Sequence, residues 1–554
     1  MPENLSQQAF KALQEQYYNA WFRYHPEQAV QTGVPGYEDK LRAYSDDDVG
    51  VLIVLGEKLI SALDEMDFSA LDEEQQIDYT VLYSAVSQEL HQLLEMDWRY
   101  RCPQQYLPVD AIHQLLTRPV ENLHQALKHR LQQIPDYLRG ARSYLLRYPE
   151  RIPASWLSSA IQEASEGVQF IRNLSRHPAV LAKFRNPARL QPVSDDAAAA
   201  LDDFSRFLQH DLKQSAQGDF ACGETHFQRL LNESHFLDIT ASQLECFGQG
   251  LLDKTRAQLE ALVATWPGEA STVDEVLAEI REDYPKGGND SLFSAYRQRM
   301  KAAKDFVIKQ QLVTMPQVQS LKVVETPKFL RHEIPFAAYE EPTYRDPEQQ
   351  GYYYVTPVVS EGHMLEHNWT SIDLTCVHEA YPGHHLQFVT ANCNPSNSLP
   401  RLLNASATLY EGWALYCEDM MQEQGFLDKP QHQFIMLRDR LWRALRVILD
   451  VRLQTQGLGI DDAAQMMCDQ LGFSIDQARA DISWYTQSPT VPMSYAVGWA
   501  LIRALREQQE QREDFNLQQF HDRLLSVGSC ALPLVIKRAF GEEAWQQARD
   551  SVFN

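Results

Sequence analysis

Along most of the chain, apolar residues recur three and four positions apart, the period of a helix with one buried face. The pattern runs through LSQQAFKALQEQYYNAWFRY, EEQQIDYTVLYSAVSQELHQLLEM, DDAAAALDDFSRFLQHDLKQ and SQLECFGQGLLDKTRAQLEALVATW. Stretches rich in proline and glycine, such as RYPERIPASW, TWPGEAST and YPKGGND, punctuate the helices. One region departs from this. LKVVETPKFLRHEIPFAAYEEP and GYYYVTPVV carry β-branched and aromatic residues with prolines at their edges, and predict a few short strands. They read either as a small structural sheet or as an edge beside a cleft, able to pair with an extended peptide. The expectation is a mainly α protein with a small β element. At 554 residues the chain exceeds what one hydrophobic core usually organises. The run from Trp266 to Asp290 reads as a junction, dividing it into an N-terminal helical part, 1–265, and a second part, 266–554.

Composition narrows the partners. Fifty basic against 75 acidic side chains leave a net charge of −25, which argues against nucleic acid or an anionic membrane. No window holds enough consecutive apolar residues to cross a bilayer, and the first residues show no signal-peptide pattern. The eight cysteines are scattered without a C-x-x-C pair and read as reduced thiols, so the expected address is the cytoplasm.

The candidate chemistry lies in LTCVHEAYPGHHLQFVT. His378 and Glu379 open it like the H-E-x-x-H of a zinc hydrolase, but position 382 is proline and the next histidines are His384 and His385. On a regular helix His384 lies roughly 120° away from His378, and His385 about 10 Å along the axis, so neither shares an ion with it. Pro382 and Gly383 break that regularity. A bulge looping out two residues would restore the spacing for His384, with His385 as the alternative. The competing reading is a capped, buried helix end.

Downstream, SATLYEGWALYCEDMM places Glu411 before Gly-Trp-Ala on a strongly helical stretch, where zinc peptidases of the glutamate type take a third ligand. Taken alone, Glu411 is equally a carboxylate near a helix N-terminus. In SPTVPMSYAVGWALIRALRE, Tyr495 stands at the start of an amphipathic helix. A phenol there donates to a developing oxyanion or simply packs in the core, and Tyr485 is a second candidate. His363 and His367 are possible substrate contacts. Arg503 and Arg506 read first as structural ion pairs and second as anchors for a substrate carboxylate.

The combination resembles the bacterial domain of unknown function 885, with its H-E-x-x-P-G-H-H and E-G-W-A motifs. The likeness extends from FRYHPEQAVQTGVPGYEDKL through GYYYVTP, YEGWALYCED and SYAVGWALI to FHDRLLSVGSCALPL. That family in turn resembles zinc metallopeptidases of the thimet-oligopeptidase and carboxypeptidase Taq type. The resemblance implies a zincin-like fold of two helical lobes flanking a deep cleft, and one zinc ion per chain. It implies His378, His384 and Glu411 as ligands, Glu379 as base, Tyr495 as oxyanion donor and short unstructured peptides as substrates; Arg503 or Arg506 as a carboxylate anchor narrowly favours C-terminal release. Glu418, seven residues beyond Glu411, reads first as a solvated helix carboxylate and second as a support behind a ligand histidine. The chain departs from the family's pattern at Gln454, where histidine is usual, and at Trp484, Val491 and Pro492, so substrate contacts there are not carried over. Hydrolysis of a non-peptide amide and peptide binding without catalysis are the alternatives. The intact Glu379 speaks against the second.

Overall fold

The computed structural model describes residues 4–331, 334–358 and 361–554, without the side chains of 361–363; His363 therefore lies outside the described side chains. The fold is mainly α. Its N-terminal helices surround a core that includes Ile112, Leu127, Leu131, Leu201 and Phe204. A larger core joins helix α1 (Ala241–Ala264) to the C-terminal helices. Thr240 begins α1 with a capping box to Gln243, satisfying backbone donors that a helix start leaves unpaired. α1 lies along a long helix near the site at Gly248, where a Cβ would stand 2.9 Å from Val447. Trp266, at the expected junction, is itself buried in this core.

The predicted strands form one sheet: β1 (Ser320–Glu325), β2 (Ala337–Glu340) and β3 (Gln350–Val355). β3 is central, parallel to β1 and antiparallel to β2. Among the strands around GYYYVTP, expected to form a small sheet or to offer an edge to a peptide, that segment itself is the central one. It supplies β3 and has no free edge, because its aromatic side chains, with Tyr353 fully buried, suit the middle of the sheet. The edge facing the chemistry is β2.

Five helices build the site: α2 (Trp369–Glu379), α3 (His384–Cys393), α4 (Ala407–Glu423), α5 (Pro430–Thr455) and α6 (Ser494–Gln509). α4 and α6 cross with their backbones in contact. A Cβ on Gly412 would lie 2.5 Å from Gly498 Cα, and one on Gly498 would lie 2.0 Å from the Thr408 carbonyl oxygen. No side chain fits between them, so the helices approach more closely than side-chain packing allows. The residue before Gly412 is Glu411, and Tyr495 precedes Gly498 by one helical turn. Asp450 of α5 fixes the entry to α6 by accepting the Thr490 and Met493 N–H groups at 3.2 Å each.

Gly498→Ala is expected to destabilise the protein by about 1–3 kcal/mol or more, the cost of overpacking against backbone that cannot yield. Thermal denaturation measures this, and an unchanged melting temperature would show that the crossing tolerates a methyl group.

Candidate metal centre

Helix α2 ends at Glu379, and Ala380 leaves helical geometry at φ −113°, ψ −82°. The Gly383 N–H reaches the Val377 carbonyl at 3.0 Å, six residues back instead of four. Two residues are thus looped out, and His384 opens α3. The expected bulge within one continuous helix is a break between two helices. Pro382 lacks the N–H that a continuing helix needs, and the turn contains a cis Tyr381–Pro382 bond. Gly383 is required by close approach, since a Cβ there would stand 1.8 Å from the His378 carbonyl oxygen. Trp413, fully buried next to Gly412, donates its indole N–H to the Pro382 carbonyl at 2.8 Å. The two motifs of the sequence are joined at that bond.

The result is a compact donor cluster. Glu411 Oε2 lies 3.5 Å from His378 Nε2 and 3.4 Å from His384 Nε2. One ligand atom from each of these residues lies within 4.8 Å of the others. The His378 and His384 imidazole rings stand nearly perpendicular, at 88°, with centroids 4.8 Å apart. Glu411 Oε2 is buried and has no hydrogen-bond partner among the described residues. A buried carboxylate oxygen left in this way is costly unless a cation meets it. Two imidazoles and a carboxylate are a donor set suited to zinc, so the residues fit the expected ion. Glu379 Oε2 sits 4.0 Å from His384 Nε2, at the rim of the cluster.

His378 and His384 are held differently. Glu418 is buried and accepts from His378 Nδ1 at 2.8 Å, so it supports His378 from behind and is not the solvated carboxylate its position first implied. Among the described residues His384 has no partner on Nδ1, and it stacks instead against Tyr339 of β2, with ring centroids 6.2 Å apart at 17°. Burial alone would raise the Glu411 carboxyl, but the His384 and His378 imidazoles hold it well below the usual range. Burial also pushes the Glu379 carboxyl up. Tyr495 lies against the Glu411 carboxylate, and burial with that charge keeps its phenol protonated far above neutral pH.

The remaining sequence candidates lie elsewhere. His385 points away to the sheet, with Nδ1 3.1 Å from the Tyr339 hydroxyl and Gly351 of β3 making room for it. Burial lowers it to about 3. His384, not His385, joins the cluster. The Tyr485 hydroxyl is engaged by Trp442 and Arg446 at 3.1 and 2.8 Å, outside the cluster. His367 bonds the Tyr296 hydroxyl at 2.9 Å. Gln454 is buried, accepting from the Cys222 N–H at 3.0 Å and donating to the Tyr485 carbonyl at 3.1 Å, so its departure from the family pattern falls on a structural bond. Arg503 pairs with Asp419 and Glu423 at 3.2 and 2.9 Å, and Arg506 with Glu423 and Glu510 at 2.6 and 2.7 Å. Their structural reading is the one observed.

The family described as "Bacterial protein of unknown function (DUF885)" matches residues 26–538. No curated protein matches the chain. Among solved structures, "the putative lipoprotein from Colwellia psychrerythraea" is 17% identical with a TM-score of 0.80, covering 99% of each chain. "A putative lipoprotein of unknown function from Shewanella oneidensis" is 20% identical with a TM-score of 0.75, covering 95% of this chain and 98% of its own. These likenesses establish the fold. A "putative oligoendopeptidase F from Bacillus anthracis str. Ames" aligns over 93% of this chain and 96% of its own at 11% identity, with a TM-score of only 0.34.

Glu418→Ala is expected to weaken zinc affinity by about 10–100-fold, the usual effect of removing the group that orients a ligand histidine. Glu418→Gln keeps an acceptor for His378 Nδ1 and loses less. Chelator competition measures both, and equal affinity in all three proteins would make Glu418 a bystander.

Proposed function

The chain belongs to the DUF885 family, whose function is unknown, and from the geometry of its site we propose that it is a zinc-dependent hydrolase of amide bonds acting on short, unstructured peptides. The observation that carries this reading is the buried Glu411 Oε2, without a hydrogen-bond partner among the described residues, between His378 Nε2 and His384 Nε2. His378, His384 and Glu411 hold the ion. When bound, zinc supplies Lewis-acid polarisation and lowers the pKa of a water.

The rest of the chemistry belongs to the chain. Glu379 adjoins a ligand and lies at the rim, with its carboxyl raised by burial towards the range useful to a base. It takes a proton from the attacking water and passes it to the leaving amine. Tyr495 remains a phenol and donates to the oxygen that becomes negative. Glu418 keeps His378 in the tautomer whose Nε2 is free to bind. The edge strand β2, which places Tyr339 against His384, offers backbone to an extended peptide. Such pairing reads backbone more than side chains, which favours broad specificity.

The two solved relatives described as lipoproteins weigh against the cytoplasmic address expected from the cysteines, although all eight cysteines are free in the fold. No helix among the described residues is long and apolar enough to cross a membrane.

Metal analysis of the purified protein is expected to find about one zinc per chain, abolished by His384→Ala and retained by His385→Ala. The reverse order would sink the ligand assignment. Glu379→Gln is expected to keep zinc and lose about 10²–10⁴-fold in turnover, and Tyr495→Phe about 10²–10³-fold, in a peptide-library assay followed by mass spectrometry. Full activity in Glu379→Gln would remove its role as base. Zinc binding without cleavage of any peptide would favour a non-peptide amide as substrate.

A further inference from the structure

Helix α5 carries an arginine whose surroundings differ from those of its neighbours. Arg438, Arg440, Arg443 and Arg452 on the same helix each have a carboxylate at 3.9 Å or closer. Arg446 has none among the described residues, although only 7% of its surface is exposed. Its Nε donates to the Tyr485 hydroxyl at 2.8 Å. That hydroxyl in turn lies 3.4 Å from Asp481, the nearest acid on that side. The two terminal nitrogens of the guanidinium have no partner among the described residues. Aromatic rings surround the group: Trp442 at 4.2 Å, Tyr495 at 4.7 Å, and Trp484 and Tyr485 at 5.5 Å each. Ring faces stabilise a cation without consuming its hydrogen bonds. The guanidinium is thus held charged and oriented, with its two-pronged end unspent.

Its position gives this a purpose. Tyr495 lies between Arg446 and the metal-binding carboxylate, in contact with the first and against Glu411. One tyrosine ring separates the free prongs from the reacting centre. That is the length of one or two residues of extended chain, at about 3.3–3.6 Å each.

We propose that Arg446 captures the terminal carboxylate of a peptide, so that the bond presented to the metal centre is the last or second-to-last of the chain. A planar guanidinium matches a carboxylate through two parallel hydrogen bonds, and burial strengthens that pair. The role once open to Arg503 and Arg506 falls to Arg446, because acidic neighbours occupy the other two. What becomes of the captured peptide rests on the hydrolase reading above. Its capture does not.

The test is calorimetric binding to the full-length protein, both zinc-loaded and metal-free, using a tetrapeptide ending in alanine as free acid and as amide. A third probe is an amidated tetrapeptide ending in glutamate, whose only carboxylate is on the side chain. The free acid is expected to bind on the order of 10–100-fold more tightly than the neutral amide, the scale of a charge-assisted pair. Arg446→Gln should erase that difference with zinc content unchanged, and Arg446→Lys should restore part of it. Equal binding of acid and amide by the wild-type protein overturns the proposal, whether or not the variants fold. Binding of the glutamate-ending amide as tight as the free acid also overturns it, by moving the anchor to a side chain. Carboxylate-dependent binding without any cleavage supports the capture by Arg446 while removing the peptidase reading.

Discussion

The contact between Gly412 and Gly498 is the constraint on which the site depends. Two helices whose backbones touch cannot slide or rotate against each other without a clash, because no flexible side chain lies between them to absorb the motion. That rigidity is transmitted directly to the neighbours of the two glycines. Glu411 is placed by one helix and Tyr495 by the other, and Trp413 extends the same contact to the turn that presents His384. Four groups from three segments are therefore positioned by one backbone crossing and one indole hydrogen bond.

The same economy explains the longer spacing of the histidines. A conventional helix brings two ligands together by its period alone. Here the period is interrupted, and the lost regularity is replaced by tertiary bonds: Gly383 N–H to the Val377 carbonyl, and Trp413 to the Pro382 carbonyl. The motif pair H-E-A-Y-P-G-H-H and E-G-W-A is a single structural unit written in two places. The glutamate joins the donor cluster, the glycine permits the crossing and the tryptophan holds the turn.

Much of this was legible in the sequence because it rests on local chemistry. The helical period, the strand composition and the loop-out at Pro382-Gly383 all follow from residue types at short range. The grouping of His378, His384 and Glu411 was implied by the family resemblance, since spacing alone left His385 as an alternative and Glu411 stands 27 residues beyond His384. What was not legible depends on burial and on distant partners. Glu418 has the helical position of a solvated carboxylate, and only the packing of α4 on α2 turns it towards His378. Tyr339 sits in an ordinary strand with nothing to mark it as the support for His384. Which of the strands around GYYYVTP forms the edge beside the site was not legible, because alternation and aromatic content do not reveal strand order. Arg446 is one of several arginines in RDRLWRALR, and its lack of an acidic partner is visible only in three dimensions.

The β2 strand also bears on how the protein avoids its own kind. An open strand edge invites other chains of the same protein to pair with it, the first step of aggregation. This edge is four residues long and lies between Pro335 and Pro342, neither of which has an N–H to extend a ladder. A long, flat intruder finds too few bonds to hold on, and a second copy of the sheet cannot zip beyond the prolines. A short strand closed off by prolines at both ends thereby limits self-pairing beside the chemistry.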